Sequence, residues 1–196
     1  MMDLALSVLS SVTGIFEDVG IRYVLVGSFA SSIHGTYRAT ADIDVLTDLK
    51  IEQVHPLFES LQDTFYVDEH NMRDAAARGG SFNAIHFDSV FKVDIFVSKG
   101  DEFALSQLDR RELRKISPDS AETVYVATVE DTVLAKLRWY QIGHETSNTQ
   151  WRDVIGILAT SRDNLDLQYL NEWSSKLGLT ELLKKALLEI QDDPES

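Results

Sequence analysis

The 196-residue chain has no cysteine. That excludes a disulfide framework and any thiolate metal site, and it agrees with a reducing compartment. Prolines number only three, and no apolar run approaches the ~18 residues that a membrane span needs. Positive charge is also scarce: 18 Lys and Arg against 32 Asp and Glu leave a formal net charge of −14. Broad nonspecific binders of nucleic acid are basic, so this balance confines any RNA contact to a local basic patch. A cationic small molecule or a basic protein partner suits the global field better. The N-terminal stretch MMDLALSVLSSVTGIFEDVG has no basic leader and carries Asp3, so the expectation is a cytoplasmic chain without a secretory signal or membrane contact.

What is present is a globular composition. Apolar residues make up 44%, enough for one domain of ordinary size with or without a helical extension. There is no internal repeat and no low-complexity segment. Val8, Val12, Ile15, Phe16 and Val19 recur at helical spacing. IRYVLV (21–26) and DIDVL (42–46) read as buried strands around a short helix, SFASSIH. A helix is expected within 51–62 with Pro56 at its start or at a kink. TFYV reads as a short strand and HNMRDAAAR as a helix. FNAIHF and FKVDIFV form a hairpin, followed by a short helix in DEFALSQL and a strand in TVYVAT. Beyond that strand the pattern is helical, with caps expected at Thr128, Ser147, Asp166 and Thr180. The division expected is an α/β core over 1–127 followed by a helical part over 128–196.

Chemistry concentrates in LVGSFASSIHGTYRATADIDVL. Alternation puts Asp42, Asp44 and Leu46 on one strand face. Two carboxylates there repel each other and lose hydration, unless they face water or hold a cation. Downstream, Lys92, Asp94 and Phe96 alternate with Phe91, Val93, Ile95 and Val97, which makes Asp94 a lone acid in an apolar strand. If the two strands are neighbours, three acids form a rigid site for hard divalent cations. Gly27 lets the backbone turn sharply between strand and helix, and Ser28 adds a hydroxyl beside the first helical N–H groups, a phosphate-binding arrangement. Ser28 as a plain N-cap is the simpler alternative.

These parts together resemble the nucleotidyltransferase superfamily, whose fold is shared with polymerase beta: Gly27-Ser28, a helix, the Asp42/Asp44 strand, and a later strand carrying Asp94. VEDTVLAKLRWYQIGHETSNTQWRDVIGIL extends the similarity over roughly residues 20–160 and is closest to the AbiEii-like, toxin-type branch. The resemblance implies an α+β fold, with a mixed sheet, flanking helices and a C-terminal helical part. It implies Mg²⁺ (or Mn²⁺) on Asp42, Asp44 and Asp94, the same three acids serving catalysis. It also implies an NTP such as ATP as substrate, held at Gly27, Ser28, Lys136 and Asp153. Its acceptors include an RNA or tRNA end, a protein side chain or a small molecule, and its toxin members imply an antitoxin-like partner. A non-catalytic nucleotide-binding or interaction module on the same fold is the alternative. Several relatives carry a lysine soon after the Gly-Ser; this chain has GSFASS, and Arg38 is the candidate replacement.

Other residues have two readings each. Arg38 serves phosphate or pairs with Asp42 or Asp44. Lys136 reaches nucleotide or snorkels from the core. Asp153, next to Arg152, orients Lys136 or forms a structural ion pair. Asn83, His34 and His86 are candidates to approach a base or acceptor. Trp139 and Trp151 read as core. The five histidines lack ligand spacing, which argues against zinc. RRELRK (110–115) sets Arg110, Arg111, Arg114 and Lys115 against Glu112, a net +3, and reads first as a charged edge strand and second as an RNA or triphosphate contact.

Overall fold

The computed structural model describes residues 2–34, 42–116 and 121–192. It divides into two compact units, the first running to Phe29 and then from the second strand to Ala127, the second from Ala30 and from Thr128.

The first unit is built on a mixed sheet. Its elements are α1 (Met2–Val19), β1 (Tyr23–Val26), the start of α2 (Gly27–Ile33), β2 (Asp42–Thr47), a 3₁₀ turn (Ile51–Gln53), α3 (Val54–Leu61), β3 (Phe65–Tyr66), α4 (Glu69–Arg78), β4 (Gly80–His86), β5 (Lys92–Val97), α5 (Glu102–Arg110), β6 (Glu112–Lys115) and β7 (Thr123–Val126). Among the described residues the sheet has seven strands, in the order β3-β4-β5-β2-β1-β7-β6. The β2–β5 and β1–β7 pairs are parallel and the others antiparallel. The helix expected over 51–62 becomes a 3₁₀ turn followed by α3. Pro56 falls in the first turn of α3, where its missing N–H would have had no helical partner.

Register assigns the two faces. Tyr23, Leu25, Ile43, Val45, Phe82, Ala84, Val93 and Ile95 pair across the strands and are buried. On their side, α1 buries Val8, Leu9, Val12 and Phe16 at helical spacing, with Phe16 and Tyr23 ring centroids 5.7 Å apart. On the opposite face, α5 sets Ala104 and Leu108 against Val24, Leu46 and Phe96. Asp42, Asp44 and Asp94 stand further along that same face, beyond the apolar cluster. Strand β6 closes one edge of the sheet with all four residues exposed, so its charges are those of a guarded edge.

The second unit contains α6 (Val129–Ile142), α7 (Asn148–Thr160), a 3₁₀ turn (Arg162–Asn164), α8 (Leu167–Leu177) and α9 (Thr180–Asp192). Helix α6 packs on α7 and α8, and α9 on the same two. Three expected caps form: Thr128, Ser147 and Asp166 side chains accept the N–H groups of Asp131, Gln150 and Tyr169. Gly178 ends α8 in the left-handed conformation. Among the described residues no helix is long and apolar enough to cross a membrane.

Candidate functional site

Parallel pairing of β2 and β5 sets Asp44 against Asp94 and Asp42 against Lys92. Side chains of directly paired residues leave the same face of the sheet, with strands about 4.8 Å apart. The three acids therefore stand on adjoining strands and one face. Antiparallel pairing of β4 brings Asn83 opposite Asp94.

Asp94 is held at both oxygens. Lys92 Nζ donates to Oδ2 at 2.6 Å, and Asn83 Nδ2 donates to Oδ1. The same ammonium lies 3.6 Å from Asp42 Oδ1. The hydrogen bond to Asp94 raises the pKa of Lys92 against the opposing effect of burial, and the charges of Asp94 and Asp42 add to the rise. The Lys92 side chain is 40% exposed and that of Asp94 18%, so the lysine stem can leave without unpacking the core.

Asp44 fixes the identity of residue 27. A Cβ on Gly27 would lie 2.1 Å from Asp44 Oδ2, and Gly27 has φ +67°. Only glycine admits both the close carboxylate and the left-handed backbone. Helix α2 starts at Gly27 itself, with Ser28 as its second residue.

The donor set of three carboxylates fits a hard divalent cation such as Mg²⁺. Among the described residues no group of three or more His, Cys, Asp or Glu is set to hold a metal ion. The cation that the described residues place beside Asp94 and Asp42 is the Lys92 ammonium. Lys92 also faces this site. Its place two residues before Asp94 on one strand face was visible, but its approach to Asp42 follows only from the β2–β5 register. Asn83, a candidate to approach a base or acceptor, instead donates to Asp94.

Arg38 lies outside the described residues. In the second unit, Lys136 Nζ donates to Asp153 Oδ2 at 2.7 Å, and Gln150 Oε1 is 3.4 Å away. Both charged side chains are buried, at 5% and 8% exposure, whereas Arg152 is exposed. Trp139, expected in the core, is exposed; Trp151 is half-buried against Tyr140 and Lys185. Val133, Leu137 and Tyr140 form the inward stripe of α6, and Trp139 is out of phase with it.

No family model matches the chain, and no curated protein matches it. Solved structures do. A nucleotidyltransferase-like antigenic protein from Paracoccidioides brasiliensis superposes with a TM-score of 0.55 at 17% identity, covering 92% of this chain and 90% of that one. The antibiotic-resistance factor ANT(2'')-Ia in solution gives 0.51 at 10% identity, over 97% of each chain. ANT(2'')-Ia in complex with adenylyl-2''-tobramycin gives 0.53 at 10% identity, over 89% of this chain and 97% of that one. The likeness is one of fold: a nucleotidyltransferase-type mixed sheet with flanking helices and a C-terminal helical part.

Proposed function

We propose that this chain is a nucleotidyltransferase that moves a nucleoside monophosphate from an NTP to an acceptor hydroxyl. The observation that carries the reading is the placement of Asp42, Asp44 and Asp94 on one face of two adjoining strands, with Asp44 against the Gly27 turn. The fold shared with nucleotidyltransferase-type structures supports it.

Asp42, Asp44 and Asp94 would hold Mg²⁺ or Mn²⁺, which when bound neutralises phosphate charge and stabilises an in-line displacement. One of these carboxylates takes the acceptor's proton. The acceptor oxygen bonds to the α-phosphorus, the bond from that phosphorus to its bridging oxygen breaks, and pyrophosphate leaves. Gly27 would let the triphosphate approach the backbone beside Ser28; a phosphate contact by Arg38, which lies outside the described residues, rests on the sequence resemblance alone. Asn83, donating to Asp94, keeps that carboxylate oriented.

A cationic small molecule is the acceptor class best supported. The net charge of −14 favours it, and ANT(2'')-Ia, of like fold, was solved with an adenylylated tobramycin. The second reading is the AbiEii-like toxin branch, with an RNA end or a protein as acceptor and a neutralising partner. It draws on the C-terminal segment in which Lys136 and Asp153 meet. On that reading the two serve the nucleotide; their burial supports a part in holding α6 to α7 instead.

A screen of α-phosphate-labelled NTPs with Mg²⁺ or Mn²⁺ against amino-bearing small molecules, RNA and lysate protein tests the proposal. Label should move to an acceptor of the first class. Label on RNA or protein alone would replace that acceptor with the second reading, and label on nothing, without NTP binding, would sink the enzyme reading.

A further inference from the structure

We propose that Lys92 is a resident counter-ion of the acid site, which a divalent cation must displace before the three carboxylates can act together. The inference deepens the proposed function, since it rests on reading Asp42, Asp44 and Asp94 as cation ligands.

The geometry makes the competition direct. Lys92 is paired with Asp42 across the parallel strands and precedes Asp94 by two residues, so strand alternation and register aim its stem at the same face as all three acids. Its ammonium bonds Asp94 Oδ2 at 2.6 Å and stands 3.6 Å from Asp42 Oδ1. The other Asp94 oxygen takes the Asn83 amide. Each Asp94 oxygen therefore already accepts one donor, and a divalent ion shared by Asp94 and Asp42 would sit beside the ammonium that stands against both. An ammonium and a divalent cation held beside the same carboxylates repel each other.

The device is built to open. Lysine is a compact charge on a flexible four-carbon stem, and this one is 40% exposed. Without a metal, it offsets the mutual repulsion of acids on neighbouring strands. Once displaced, it needs a new anion, and a triphosphate bound with the metal would supply one. Metal alone evicts the ammonium without bringing it a replacement anion. Metal with nucleotide supplies a substitute to both partners, a cation to the carboxylates and an anion to the lysine. Binding of the two should therefore be positively coupled, and Lys92 should carry much of that coupling.

The test reads binding of Mn²⁺ to the full chain by electron paramagnetic resonance, with and without a non-hydrolysable NTP analogue. Without nucleotide, Lys92→Met should bind Mn²⁺ about tenfold more tightly than the parent, the order expected for removing one close, partly screened like charge. Lys92→Arg, which keeps a cation there, should stay within about threefold of the parent, and Lys50→Met, which removes an exposed lysine elsewhere, should match it. The gain in Mn²⁺ affinity on adding the analogue should be several-fold smaller in Lys92→Met. If Lys92→Met fails to fold, Lys92→Gln serves in its place. Unchanged or weaker Mn²⁺ binding in the neutral variant, or no Mn²⁺ binding in any of these proteins, overturns the inference. Nucleotidyl transfer by the parent is scored separately. Transfer with unaltered metal affinity in Lys92→Met removes the counter-ion role alone, and tighter metal binding without transfer to any acceptor removes the enzyme reading alone.

Discussion

The Asp44 carboxylate occupies the space that a side chain on Gly27 would need. A Cβ built there lies 2.1 Å from Oδ2, on a backbone with φ +67°. Gly27→Ala should therefore both strain the turn and push Asp44 off its place. The expected loss is about 1–3 kcal/mol of stability, measured by urea unfolding, together with weakened NTP binding by calorimetry. An unchanged unfolding midpoint would mean that the turn is not held as described.

Asp94 lies opposite Asp44 and receives Lys92 and Asn83. Asp94→Asn keeps its size and removes its charge. It should lower the rate of pyrophosphate release by about 10²–10⁴, while thermal stability stays nearly unchanged because the ion pair it breaks is partly solvated. A variant that retains the parent rate would take Asp94 out of the chemistry.

The Lys136–Asp153 pair is buried in the helical unit. Removing one partner strands a charge away from water, so Lys136→Met alone should lose about 3–5 kcal/mol in denaturant unfolding. Lys136→Met with Asp153→Leu should recover most of it. If the single variant instead keeps its stability and loses NTP affinity, Lys136 touches nucleotide and the structural role falls.

Tyr23 is buried and donates to Glu17 Oε1 at 3.0 Å. Burial first, and the carboxylate second, push its phenol well above the ordinary tyrosine value. The unfolded chain then releases this proton at lower pH than the folded one. The resulting stability is complete below about pH 10 and is lost as pH rises from there through the folded-state pKa. Unfolding titrations above pH 10 should show a declining midpoint, and Tyr23→Phe should flatten that decline.

Much of the architecture was legible because it is local. Alternation in DIDVL and KVDIFV determines which residues share a face, and the oxygens of Thr128, Ser147 and Asp166 mark helix starts because each satisfies an otherwise unpaired N–H. The contact of Lys92 with Asp94 is local to β5, and that of Asn83 follows from the β4–β5 hairpin, but the approach of Lys92 to Asp42 was not legible, since it depends on β5 lying beside β2. That neighbourhood is a long-range choice, and it sets one ammonium between acids of two strands. Trp139 failed for a simpler reason: its phase on α6 places it off the stripe of Val133, Leu137 and Tyr140, which the residue's size alone could not reveal.

The central claim is transfer of a nucleoside monophosphate by the acid face of the sheet. Its most direct measurement is pyrophosphate release and label transfer from an α-phosphate-labelled NTP to a cationic, hydroxyl-bearing small molecule in the presence of Mg²⁺ or Mn²⁺, with Asp42→Asn run beside the parent. The parent should yield equal amounts of labelled acceptor and pyrophosphate, and the variant neither. Release by both proteins at the same rate, or no release and no NTP binding by the parent with any acceptor, would contradict it.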